Sequence, residues 1–158
     1  MKVSSITLQG FSVFEKATLK FCPGVNVLIG TNATGKSHLM KVMYSMMKAS
    51  EQAEWNSNNI ALTYAVKLPD KLAKVFRPQA GSLSRLVKRS VGKASGSVSL
   101  SFGIDVGSLS FTATGAGKIK ALRRGQSVTK AEPSLFIPSR EVLSFHSSLI
   151  AAIKNSEI

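Results

Sequence analysis

Gly30-Thr31-Asn32-Ala33-Thr34-Gly35-Lys36-Ser37 meets the pattern G-x-x-x-x-G-K-[S/T] at every specified position. The preceding Val25-Asn26-Val27-Leu28-Ile29 reads as a buried β-strand, and Lys36 to Lys48 reads as a helix leaving the loop. A strand before and a helix after are what such a loop requires. Glycines let the backbone fold back so that successive N–H groups point inward at an anion, where side chains would obstruct it. The helix start adds unpaired N–H groups and the positive end of its dipole. Lys36 is placed to reach the β- and γ-phosphates of a nucleotide, and Ser37 to complete the coordination of a Mg²⁺ bridging them. Thr31, Asn32, Ala33 and Thr34 contribute mainly backbone. A glycine-rich turn that binds nothing is the competing reading, but it leaves the Lys36 charge under the turn without a counter-ion, which is costly.

The remaining composition bounds the rest. A chain of 158 residues with 44% hydrophobic content suits one domain, or one lobe of a larger domain, with its own core. No apolar run approaches the roughly 20 residues needed to cross a bilayer, and the N-terminus lacks the apolar region of a signal peptide, so the expected address is the cytoplasm, with no membrane partner. The single cysteine, Cys22, agrees with a reducing compartment and is expected as a small core residue. The formal charge is +13, from 21 Lys and Arg against 8 Asp and Glu. It concentrates in 67–93, where Asp70 is the one acid, and in 116–130, which has none. Such blocks suit a nucleic-acid backbone, an acidic partner or a solvated basic face.

Along the chain, Val3 to Leu8 alternates polar and apolar residues and predicts a first strand, broken at Gln9-Gly10. Ala17, Leu19 and Phe21 predict a second, turned by Pro23-Gly24. The helix after the loop carries Leu39, Met40, Val42, Met43, Met46 and Met47 on a wide apolar face, with its end near Ala49 to Trp55 and a polar loop at Asn56–Asn59. His38, beside the motif, is either a surface helix residue or an imidazole that approaches phosphate. Ile60 to Lys67 reads as extended, Pro69-Asp70 as the opening of a brief helix ending before Pro78, and Ser82 as the cap of another through Leu83, Leu86 and Val87. From Ser97 the period becomes two, predicting a β-hairpin of 98–104 and 109–113. The basic stretch to Lys130 reads as a mobile loop, Leu135-Phe136-Ile137 as a short buried strand, and Val142 to Lys154 as a helix. The expected organisation is one lobe over 1–158: strands, loop and helix in 1–50, a helical and hairpin insertion in 51–133, and a strand and helix in 134–158.

Taken together, Ile6-Thr7-Leu8-Gln9-Gly10-Phe11, Pro23-Gly24-Val25-Asn26 and the loop through Ser37 resemble the N-terminal lobe of ABC-type ATPase heads, within the RecF, SMC and OLD-like group of prokaryotic AAA-type ATP-binding proteins. Val75-Phe76-Arg77-Pro78, Leu86-Val87-Lys88-Arg89 and Phe136-Ile137-Pro138-Ser139-Arg140-Glu141 extend the likeness over most of the chain. Asn32 sits where these heads commonly place asparagine, while Ala33 replaces their usual glycine. The resemblance implies an α/β P-loop NTPase lobe, with antiparallel strands beside the loop strand and helix, that binds ATP and Mg²⁺. It also implies that the Gly10–Phe14 connection lies near adenine and ribose, so Phe11 and Phe14 serve either the nucleotide or the core. Arg140 makes either an ion pair or a ligand contact on the way to the rest of the head.

Two segments on which hydrolysis depends in these heads have no counterpart in the sequence: an apolar strand ending in Asp-Glu, and a Ser-Gly-Gly signature. No catalytic base is identified. The resemblance therefore implies a lobe whose ATPase site is completed by other segments and by a second head, and which drives an effector in phage defence or DNA repair. A short regulatory or decoy subunit that pairs with a full-length head, and a basic nucleic-acid-binding module, are the alternatives.

Overall fold

Ile6 and Leu8, Val98 and Leu100, and Leu109 and Phe111 occupy alternate positions on three strands, and their pairing puts all of them on one face of a single sheet. In the computed structural model, residues 2–56, 59–89, 94–103, 107–124 and 133–137 are described. Strands β1 (Ser5–Phe11), β2 (Phe14–Lys20), β3 (Ser95–Ser101), β4 (Ser108–Thr114) and β5 (Ile119–Arg124) form a five-stranded sheet in the order β2-β1-β3-β4-β5. Every neighbouring pair is antiparallel. Helices α1 (Lys36–Asn56) and α2 (Ile60–Phe76) pack on each other, and their apolar faces join the sheet's apolar side in one core. The outcome is a two-layer α/β lobe with one sheet face covered and the other open among the described residues.

Helix α1 buries Leu39, Val42, Met46, Ala49 and Ala53, spaced alternately three and four residues apart. The two alanines lie toward its C-terminal half and contribute little bulk. Helix α2 answers with Tyr64, Leu68 and Leu72, four residues apart and fully buried. Each leucine enclosed in this way is worth about 1.5–3 kcal/mol. That stripe explains a difference from the sequence reading: Ile60 to Lys67 is not extended but forms the first half of α2, which runs on through Pro69. Proline in a helix interior removes one hydrogen bond at a cost of about 3 kcal/mol, and burial on both sides of it outweighs that cost. Asn59 caps the helix, its side chain accepting from the Leu62 N–H at 3.2 Å, and Arg77 closes it in the left-handed region.

Other expectations are corrected. Strand β1 does not break at Gly10. It continues to Phe11, because Gly10 adopts φ +57° and re-aims the chain so that Phe11 returns to the core instead of following Thr7 and Gln9 outward. A Cβ on Gly10 would come within 2.5 Å of the Ser95 carbonyl oxygen, and a Cβ on Gly96 within 2.5 Å of the Gly10 carbonyl oxygen, so this crossing accepts glycine alone. Val25–Ile29 joins no ladder: no described strand lies beside it, and Val25, Val27 and Ile29 are 89%, 73% and 92% exposed. Leu135–Ile137 is likewise neither paired nor buried, with Leu135 82% and Ile137 70% exposed, although Phe136 stacks at a tilt on Tyr44 with ring centroids 5.8 Å apart. The helix expected from Ser82 is a single 3-10 turn, Leu83–Leu86. Cys22 is exposed, not in the core.

The basic stretch after Gly117 is not a loop throughout, since Ile119–Arg124 is β5. Ile119 and Ala121 face the helices while Lys120, Leu122 and Arg124 face away, a period of two that the cations hide. The β3–β4 hairpin stands as expected. Residues 104–106, 125–132, Arg140 and the helix expected over 142–154 lie outside the described residues.

Candidate functional site: a phosphate-binding loop on a hairpin floor

Gly35 is the residue on which the loop turns. Its φ is +92°, and a Cβ there would lie 2.5 Å from Val13 Cγ2 and 2.7 Å from Phe14 Cζ. A side chain is therefore excluded twice, by backbone conformation and by the surface beneath. Ala33 takes φ +64°, a left-handed conformation that costs an alanine about 1–2 kcal/mol. The glycine that the resemblance leads one to expect at this position would relieve that strain.

The left-handed residues Ala33 and Gly35 shape the loop around the Lys36 ammonium. Lys36 Nζ donates to the carbonyl oxygens of Gly30 at 2.7 Å and Thr31 at 2.6 Å, and approaches Thr34 Oγ1 at 3.4 Å. The Thr34 hydroxyl donates to the Thr31 carbonyl at 2.9 Å and fixes the crest of the loop. Helix α1 begins at Lys36, with the Leu39 N–H donating to the Gly35 carbonyl at 2.9 Å. Its first N–H groups thus open toward a cavity of about 520 Å³ lined by Asn32, Ala33, Thr34, Gly35, Lys36 and Ser37, together with Val13 and His38. Among the described residues, no carboxylate lines this cavity.

The sequence reading placed the Gly10–Phe14 connection near adenine and ribose but gave Ser12 and Val13 no role; the β1–β2 turn they form passes beneath the loop, Val13 meeting Gly35. Ser12 has φ +54°, and its N–H donates to the Leu86 carbonyl at 2.7 Å, while the Lys88 N–H donates to the Gly10 carbonyl at 2.8 Å. The segment after the 3-10 turn therefore braces the hairpin from the far side. The Ser12 hydroxyl is hydrogen-bonded to His38 Nδ1, and the His38 ring stands edge-on to Phe76 with centroids 5.5 Å apart. Desolvation, then the charge of Lys41, lowers the His38 pKa and so favours its neutral ring.

The structure thus brings Asn32 to His38 together around one cavity and adds Val13, while Gly30 and Thr31 turn their carbonyls to Lys36 and Ser12 reaches the site through its bond to His38. Phe14 is half-buried and supports Gly35 from below. Phe11 is fully buried, edge-on to Phe76 and Phe111, so its side chain serves the core and reaches no cavity.

A loop of this construction at the head of a long helix, in a two-layer α/β lobe, belongs to the P-loop class of nucleotide-binding ATPase domains. Residues 1–123 match the AAA ATPase domain model, and the chain belongs to that family. Three curated relatives, each named DNA replication and repair protein RecF and found in Staphylococcus aureus strains JH9, Newman and Mu3, are 33% identical to this chain over 60 residues. The matched stretch is 38% of this chain and 16% of each relative's length. Among the described residues, no helix is long and apolar enough to cross a membrane.

Proposed function

We propose that this chain is the ATP- and magnesium-binding lobe of an ABC-type ATPase head, hydrolytic only when an Asp-Glu strand and a Ser-Gly-Gly segment from elsewhere, including a second head, complete the site. The observation that carries this reading is the Lys36 ammonium held by the Gly30 and Thr31 carbonyls directly below the glycine-bent loop. An anion over the loop would meet the α1 N–H groups and this ammonium together. Gly35 supplies the fit: its missing side chain is what lets the backbone lie flat on Val13 and keep its N–H groups free to face upward.

Lys36 and the loop N–H groups would hold the β- and γ-phosphates, and Ser37 would hold Mg²⁺, an ion that commonly takes one or two protein ligands alongside phosphate oxygens. Bound there, Mg²⁺ neutralises charge on the β- and γ-oxygens. Val13, 48% exposed at the cavity edge, offers an apolar surface on the side where the resemblance places adenine and ribose. His38, neutral and bonded to Ser12, positions the hairpin turn against the helix.

In the intact protein, ATP turnover by paired heads would drive an effector in DNA repair or phage defence. The DNA-repair name of the relatives supports the first. A second reading, a regulatory or decoy subunit that binds ATP without turning it over, draws on a cavity lining that among the described residues includes no carboxylate. Lys36→Ala tests the shared core of both. Calorimetry with ATP and Mg²⁺ is expected to show at least a tenfold loss of affinity, and unchanged binding by a folded variant would reject the assignment. Phosphate release by the chain alone would exclude both readings, whereas ATP binding without phosphate release, together with co-elution with a larger ATPase, would favour the second.

A further inference from the structure

A separate cavity of about 570 Å³ lies against Ser12, with Arg85, Lys88 and Arg89 in its lining beside Ser84. Val87 and Gly115 give it an apolar wall, and among the described residues no carboxylate lines it. It shares no lining residue with the cavity of the nucleotide loop: Ser12 belongs to this one, and its hydrogen-bond partner His38 to the other. The backbone that carries the three cations is fixed. Leu86 and Val87, between Arg85 and Lys88, are buried, and Val87 bridges to Phe11. The turn before them is closed by the Arg85 N–H donating to the Ser82 carbonyl at 3.2 Å and the Val87 N–H to the Ser84 carbonyl at 3.1 Å. On the opposite wall, the Gly115 N–H donates to the Ala94 carbonyl at 2.8 Å. A site on backbone held in this way needs little ordering when a ligand arrives.

We propose that this cavity binds a terminal phosphate group, either the free ion or the end of a small non-aromatic molecule such as a sugar phosphate. Charge carries the first step. Lys88 Nζ lies 3.2 Å from Glu15 Oε2, while Arg85 and Arg89 meet no acid among the described residues, so three cations less one carboxylate leave two positive charges. A phosphomonoester at pH 7 carries about −1.5 to −2 charges and three acceptor oxygens, which matches them. The Lys88–Glu15 pair is exposed, with Glu15 at 87%, and a pair of that kind holds its lysine weakly, so the ammonium is free to turn to the ligand. Arginine adds two parallel N–H donors of the spacing that phosphate oxygens accept. Shape carries the second step. The volume falls within the roughly 300–1,000 Å³ of small-molecule sites. A walled cavity suits a phosphate at the end of a molecule, whereas a phosphodiester needs an exit for chain on both sides. No aromatic ring lines it for a base to stack on, so a sugar or a similar body fits the Val87 and Gly115 wall better than a nucleobase does.

The experiment is calorimetry of the full chain with ribose 5-phosphate, inorganic phosphate and ribose. Lys36→Ala is titrated in parallel to account for phosphate taken by the nucleotide loop. It is expected to leave binding at this cavity intact, so the two sites fail separately. Ribose 5-phosphate is expected to bind and ribose not to. Arg85→Gln/Arg89→Gln is expected to weaken binding at least tenfold, and Ser84→Asp, which leaves every cation in place, by a similar factor. Lys67→Gln/Lys74→Gln removes the same charge from α2 and is expected to change nothing. Equal affinity for inorganic phosphate would assign the cavity to the free ion, and tighter binding of ribose 5-phosphate to a monoester; either supports the proposal. It is overturned if neither phosphate compound binds, if ribose binds as well as its phosphate, if the α2 pair behaves like the arginine pair, or if Lys36→Ala abolishes the binding and Arg85→Gln/Arg89→Gln does not. A 12-base-pair duplex that loses affinity in the arginine variant while ribose 5-phosphate keeps its own would assign these cations to a polyanion and overturn it too.

Discussion

Gly35→Ala places one methyl group in a position defined by two independent constraints. The first is backbone: φ of +92° lies in the region L-residues avoid, and forcing alanine into left-handed geometry costs about 1–2 kcal/mol. The second is space: the new Cβ would sit 2.5 Å from Val13 Cγ2 and 2.7 Å from Phe14 Cζ, and overpacking of this kind costs about 1–3 kcal/mol. The sum, about 2–5 kcal/mol, is a large part of an ordinary domain's stability. Gly24→Ala serves as the reference, because Gly24 has a similar φ of +95° but nothing within 4 Å of its ideal Cβ. It is expected to lose the backbone contribution alone. Urea unfolding followed by circular dichroism measures both, and Val13→Ala completes a double-mutant cycle by removing the methyl group that the new Cβ meets. Its coupling with Gly35→Ala is expected to recover about 1 kcal/mol or more. Equal losses at Gly24 and Gly35, with Val13→Ala purely additive, would refute the claim that the hairpin turn is the floor of the loop.

Two further outcomes follow from side chains around the core. The Tyr64 hydroxyl is buried and has no hydrogen-bond partner among the described residues, and burial raises its pKa against the opposing charge of Arg123. Tyr64→Phe is therefore expected to leave the thermal midpoint unchanged or higher, whereas a loss above about 1 kcal/mol would show that the hydroxyl is satisfied. His38 has a folded pKa below its ordinary value of 6.5, so near and below pH 6.5 the unfolded chain binds more protons than the folded one. Its contribution to stability is complete above that value and declines as pH falls from 6.5 toward the folded pKa. His38→Gln should flatten the stability profile over this window, and a profile of unchanged slope would remove the histidine from the account.

The loop and the helix after it were legible because a glycine-lysine spacing encodes backbone geometry directly. The β3–β4 hairpin was legible because serines alternate with Val98, Leu100, Leu109 and Phe111 without interruption. The first half of α2 was not, because Pro69 resembles a helix start and the deciding fact, the burial of Tyr64, Leu68 and Leu72 against α1, is tertiary. Strand β5 was hidden by its own cations, which satisfy solvent on one face while Ala121 packs on the other. Val25–Ile29 shows the opposite error: a run rich in valine and isoleucine states a preference for burial, but burial needs a neighbouring strand, and none is described beside it. What escaped, for a similar reason, was the way the Gly10–Phe14 connection meets the loop. Val13 and Phe14 meet Gly35 across more than twenty residues of chain, and no local pattern announces that contact.

The embrace of the Lys36 ammonium by two backbone carbonyls makes ligand entry an exchange. A phosphate group that engages this cation competes with acceptors already in place, and the displaced carbonyls must then turn to solvent. An anion of low charge density gains little from such a swap, whereas a triphosphate offers several oxygens at once. On the proposed reading, the turn would answer to concentrated negative charge before any contact with sugar or base.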